Sequence, residues 1–218
     1  MEIDRGLPMH DTDLRSVIPL RRLTAGQDEL LRVAFVELLR RSEPVPVSVL
    51  AELCDPTGLD TAAELELLAA AGRLGRGADG SVTGALGLTV DRTPHELLIG
   101  DTPWHTWCVI DALGILGGLG ASGSVTSASP GTGLVLTVRF TEGRLSGGDT
   151  DCVVFVPGYR EGTPVIRTWC PWVNFFPDAV IAERWASTHA VPGQAVTLAT
   201  AAAVACRHWS DRLRPASP

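Results

Sequence analysis

Apolar positions recur at helical spacing through QDELLRVAFVELLRR, which predicts an amphipathic helix from Gly26 to Arg41. Acidic residues near its start and arginines at its end suit the helix macrodipole, and Pro44 and Pro46 stop it. A second short helix is predicted from Val47 to Leu53. A third runs to Ala71 with Asp60 as N-cap and Gly72 as C-cap. The pattern then changes period: GRLGRGADGSVTGALGLTV carries a turn at Ala78 to Gly80 with β-like residues after it, a predicted hairpin. Residues 1–19, with alternating charges, two prolines and little apolar content, read as a loosely held arm.

The longest apolar run is WHTWCVIDALGILGGL, Trp104 to Leu119, predicted to be helical. Residues 117–133 are rich in Gly and Ser. Three strands are predicted beyond them, Leu134 to Phe140, Cys152 to Val156 and Val165 to Phe176. The turn-rich segments TEGRLSGGDTD and PGYREGTP separate them, as in an antiparallel meander. Helices from Ala179 to His189 and from Thr200 to Leu213 close the chain. The fold class expected is α+β: an N-terminal winged-helix-like three-helix module over 20–100, packed as a structural half on a catalytic half over 101–218 with an antiparallel sheet and flanking helices.

Three helices and a hairpin also outline a DNA-binding regulator. Charge argues against that function. The helix in the recognition position, TAAELELLAAAG, carries Glu64 and Glu66 and no basic residue, and residues 1–100 hold ten Arg against sixteen acids. The whole chain of 218 residues has a net charge of −7, which disfavours nucleic acid and anionic membranes as partners. No stretch is long and apolar enough for a membrane span, and MEIDRGLPMHDTDLR is not a secretory signal, so a cytoplasmic location is expected. In that reducing compartment the five cysteines should be free thiols, and without a CxxC or a His pair at ligand spacing a structural zinc site is poorly supported.

Chemistry concentrates in the apolar run. On a helix Cys108 and Asp111 share one face, with Cβ atoms roughly 5 to 6 Å apart. Packing has no use for a carboxylate there, because a lone buried one costs several kcal/mol unless it is paired, hydrogen-bonded or protonated. Cys108 taken alone reads as a small core residue. So do Cys54, Cys152 and Cys206, each placed on an apolar face or strand. His105 suits a packing role and Trp107 either core or a wall that excludes water.

Several pieces in order, WCVID at 107–111, VTSASPGTG at 125–133, IRTWCPWVNFF at 166–176 and ERWASTHAVPG at 183–193, resemble the organomercurial (alkylmercury) lyases. The resemblance covers about residues 20–212. It implies a site of two cysteines and an aspartate, falling on Cys108, Asp111 and Cys170, which hold the mercury of substrate and product. Thiolates are the protein ligands that match a soft cation. The implied activity is protonolytic cleavage of a carbon–mercury bond, with Asp111 carrying the proton to the leaving carbon and Hg²⁺ left on two thiolates. No organic cofactor is implied; the partners implied are the organomercurial, small cellular thiols and a mercuric reductase. The family often has a second cysteine directly after the second reactive one, with histidines beyond; Pro171, Trp172, Val173 and Asn174 stand here, and Ser129 replaces a further cysteine. These departures bear on product hand-off and on the organic groups accepted. Two other readings stay open: the same site acting on another organometal or a sulfur-containing metabolite, and a non-catalytic heavy-metal binder.

Overall fold

The computed structural model of the chain describes residues 23–54, 58, 60–160 and 162–213. The arm expected over 1–19 lies outside them. Helix α1 spans Ala25–Arg41, and Thr24 and Gln27 form a reciprocal capping box at its start. Such a cap satisfies two backbone N–H groups the helix itself leaves open. Helices α2 (Val47–Cys54) and α3 (Thr61–Ala70, capped by the Asp60 side chain) follow. The predicted hairpin is β1 (Leu74–Arg76) with β2 (Val82–Ala85).

This hairpin does not stand alone. With β3 (Leu88–Thr89), β4 (His95–Ile99), β5 (Thr102–Thr106), β6 (Gly123–Ala128), β7 (Val135–Thr141) and β8 (Arg144–Gly148) it forms one antiparallel sheet, in the order β1-β2-β3-β5-β4-β6-β7-β8. The stretches 20–100 and 101–218 therefore share a sheet, their junction falling in the β4–β5 hairpin. A second sheet, order β10-β9-β11, comprises β9 (Val153–Pro157), β10 (Asn174–Phe176) and β11 (Gly193–Thr197). Helix α4 (Val109–Leu119) lies in the middle of the main core, every residue from Val109 to Leu116 buried. It packs along the last helix, α7 (Leu198–Leu213), whose Trp209 and Cys206 sit so close to Gly114, Gly117 and Gly118 that a Cβ at any of the three would collide. Helix α6 (Ala179–Thr188) covers the small sheet, setting Ala182 and Ala186 against Phe155 and Phe176.

The sequence pattern misplaced several elements, each for a physical reason. The apolar run is not helical throughout: Trp104 belongs to β5, which pairs with β4 and β3, and the helix begins at Val109. Cys108 thus precedes the helix as its N-cap, with extended φ −155° and ψ 172°. Residues 165–176 do not make one strand. They form a short helix α5 (Val165–Thr168), a 3₁₀ turn (Cys170–Trp172) and then β10. Pro171 explains the break, because proline has no N–H for a ladder and suits the first turn of a helix. Strand β6 was hidden in a Gly- and Ser-rich stretch; it exists because β4 and β7 flank it on both sides, with Val125 opposite Leu97 and Val138. Strand β8 lay in a segment read as turn, joined to β7 through Glu142 and Gly143, both at positive φ. The expected meander is accordingly divided, β7 in one sheet and β9 in the other.

Candidate active site

Three loops meet at the N-terminal end of α4. The first holds Cys108. Its carbonyl accepts hydrogen bonds from the Thr106 hydroxyl (2.9 Å) and the Ala112 N–H (3.3 Å), which fixes the passage from β5 into the helix. The second holds Cys170 in its 3₁₀ turn. The Val173 N–H closes the turn onto the Cys170 carbonyl at 3.1 Å, the Asn174 side chain donates to the Pro171 carbonyl at 2.9 Å, and the Trp169 indole N–H donates to the Pro157 carbonyl at 3.1 Å. A hydrogen bond from the Val109 N–H to the Val173 carbonyl, 3.5 Å, ties the two loops together.

The third is the β2–β3 turn, Leu86 and Gly87, which roofs Asp111. Both residues have positive φ, 49° and 88°. Leu86 is held in this costly region by the Trp209 indole N–H, which donates to its carbonyl at 2.9 Å, while the Trp107 N–H donates to the Gly87 carbonyl at 3.0 Å. A Cβ on Gly87 would stand 2.4 Å from the Asp111 side chain, so only glycine allows the turn to close over the carboxylate.

Cys108, Asp111 and Cys170 thereby converge. All three are buried, and one ligand atom from each lies within 4.8 Å of the others. The Cys108 thiol donates to Asp111 Oδ2 at 3.1 Å. Among the described residues no other group of three His, Cys, Asp or Glu side chains is so arranged. Cys54, Cys152 and Cys206 lie elsewhere in the structure and form no disulfide.

Burial dominates the electrostatics, since a low-dielectric site disfavours every charged form. It pushes Asp111 up to about 6, against the opposing pull of the Cys108 hydrogen bonds and the more distant Arg73 and Arg212. Burial also lifts Cys108 far above the ordinary thiol range, helped by its contact with Cys170 and the charge on Asp111. For Cys170 the adjacent Cys108 thiol, which could donate to its anion, favours the thiolate, but burial and Asp111 outweigh it, so this thiol too is raised. Near neutral pH the resting site is two thiols and a largely ionised carboxylate. Cys170 is the thiol better placed to ionise, because Cys108 and Arg73 both favour its anion.

A cavity of about 40 Å³ opens on Asp111 and Cys170. Leu86, Trp107, Trp169 and Trp209 line it with apolar surface, and Arg73, His208 and Arg212 supply a polar side. Burial pulls His208 down to about 4, so its imidazole is neutral. Trp107 is thus a wall of the site. The sequence drew no attention to Arg73, His208, Trp209 or Gly87, which reach it from distant elements.

The sequence model of the alkylmercury lyase family, MerB, matches residues 88–210, more than half of the chain. The chain belongs to the alkylmercury lyase family. An alkylmercury lyase of Pseudomonas putida is 32% identical over 114 residues, 50% of this chain and 52% of that protein, so the match spans about half the length of the curated relative. The crystal structure of the mercury-bound form of MerB2 superposes with a TM-score of 0.79, covering 89% of this chain and 95% of that one at 24% identity. That likeness shows the alkylmercury lyase fold is shared over nearly all of this chain. Among the described residues no helix is long and apolar enough to cross a membrane.

Proposed function

We propose that the chain is an organomercurial lyase that cleaves carbon–mercury bonds by protonolysis at Cys108, Asp111 and Cys170. The observation that carries this reading is the convergence of two buried thiols and a carboxylate within 4.8 Å. Thiolate–metal bonds of about 2.3 Å put two ligands of one ion at most roughly 4.6 Å apart, so a single soft metal can engage both sulfurs with little movement.

The sequence of steps follows from the hydrogen bond and the ionisation order. Cys170 attacks the mercury of R–Hg–X, its proton and the displaced X⁻ leaving as HX. Cys108 then binds the same metal and passes its proton to Asp111 across the existing 3.1 Å contact. A second thiolate on mercury raises electron density along the Hg–C bond. Asp111, now protonated, delivers that proton to the carbon; the Hg–C bond breaks, its electron pair forms the new C–H bond, and R–H departs. Hg²⁺ remains on Cys108 and Cys170. One thiol proton leaves with X and the other with R, so the balance closes. Burial assists the transfer because a carboxyl raised to about 6 is both a usable acceptor and a usable donor at neutral pH.

Small thiols would then carry the metal away to a mercuric reductase, and a reducing cytoplasm would suit the free cysteines. The test is hydrocarbon release. Purified protein with phenylmercury or methylmercury and excess thiol should yield benzene or methane catalytically. Stoichiometric mercury uptake without hydrocarbon would establish a binder instead.

A further inference from the structure

We propose that the cavity above the reactive thiols accepts a carboxylate that arrives with the mercury, held by Arg73. The inference rests on the lyase reading and adds a substrate class to it. Arg73 follows the end of α3 and lines the same cavity as Asp111 and Cys170. Its Nη2 is shielded from solvent and has no hydrogen-bond partner. Among the described residues no carboxylate lies within 4.0 Å of its guanidinium. Arg212 shares the cavity but is already engaged, donating to Asp28 at 2.6 Å. Among the described residues Arg73 is therefore the cation of the site without a carboxylate partner: the neutral Tyr159 hydroxyl bonds its guanidinium, and Nη2 stays open.

A shielded guanidinium N–H without an acceptor is costly, and buried donors are normally paired. The group that satisfies it best is a planar oxyanion, because the guanidinium fork matches a carboxylate in shape as well as charge. With Arg212 neutralised by Asp28, Arg73 and Asp111 are the two charged groups left on the cavity lining, and an incoming anion has Arg73 as its partner. Meanwhile Leu86, Trp107 and Trp169 offer apolar walls to the rest of the molecule. The carboxylate could be borne by the organic group or by the thiol that escorts the metal, and both place it beside the reacting mercury.

The experiment compares kcat/KM in pairs on the full chain. In one arm, 4-carboxyphenylmercury is set against phenylmercury, each presented with 2-mercaptoethanol. In the other, phenylmercury is presented with mercaptoacetate or with 2-mercaptoethanol. A hydrogen bond to a charged group predicts an advantage of about ten- to hundredfold for the carboxylate in at least one arm, which identifies its source. In Arg73→Met that ratio should fall to near one. Each ratio is taken within one protein, so a reduced folded fraction cancels. A parent ratio near one in both arms, or a ratio that survives Arg73→Met, overturns the proposal; in the second case Arg73 acts only on the charge of Asp111. The same pairs titrated by tryptophan quenching give a binding ratio that decides the carboxylate site even if neither mercurial releases hydrocarbon, an outcome that would sink the lyase reading alone.

Discussion

Replacing Asp111 by Asn separates capture of mercury from cleavage. The amide has the size of the carboxyl, and its oxygen can still accept the Cys108 thiol that now donates to Oδ2 at 3.1 Å, so the pocket and both sulfurs persist. What disappears is the ability to take up a proton and return it. Positioned proton transfer is typically worth about 10² to 10⁴ in rate, or roughly 3 to 5 kcal/mol of barrier. Asp111→Asn should therefore retain mercury through gel filtration yet release benzene from phenylmercury at least a hundredfold more slowly, at a fixed thiol concentration. Release at the parent rate would refute the assignment and make Asp111 structural. Stability supplies an independent check. The folded-state pKa of about 6 lies above the ordinary 3.8. A carboxyl raised in this way contributes stability that is fully present below about pH 4 and lost as pH rises through about 6. Two pH units correspond to at most about 3 kcal/mol. The Asn variant escapes this loss, so its Tm should exceed the parent's by several degrees at pH 8 and match it near pH 4. Equal or lower stability at pH 8 would mean that the burial penalty is absent.

Cys108→Ser and Cys170→Ser should each abolish turnover, because a hydroxyl is a poor ligand for a soft metal, whereas Cys54→Ser, Cys152→Ser and Cys206→Ser should alter stability alone; benzene release from the five variants decides, and activity in either of the first two removes that residue from the site. Gly87→Ala places a Cβ 2.4 Å from the Asp111 side chain at a φ of 88°, so the carboxyl must move by about 1 Å, a displacement that can cost on the order of 10² in rate. Unchanged kcat in that variant would show the roof to be looser than the structure implies. Trp209→Phe loses the indole hydrogen bond that holds Leu86, and should lower unfolding free energy by about 1 to 3 kcal/mol in urea titration; no change in midpoint would remove Trp209 from the support of the turn.

Local pattern alone was enough for much of this protein. The helices α1, α2 and α3, the N-cap at Asp60, and strands β7 and β9 follow from period, capping chemistry and turn residues, which act within a few positions of one another; the C-cap of α3 is Ala71, and Gly72, expected in that place, is the left-handed residue just beyond it. The three residues that converge were singled out by the sequence as well, because an Asp three residues from a Cys in an apolar run has no packing rationale, and the resemblance of WCVID and IRTWCPWVNFF to a known family added Cys170. Pairing between distant segments lay beyond that reach. A Ser- and Gly-rich segment became β6 because β4 and β7 held it on both sides, and Cys170 left its expected strand because Pro171 could not join a ladder. Only the tertiary structure brought Arg73, Gly87 and Trp209 to the same carboxylate, from the end of α3, a β-turn and the final helix. Nothing near them in sequence marks such residues, because their roles come from burial and from close approach across the core, and both are properties of the packed chain.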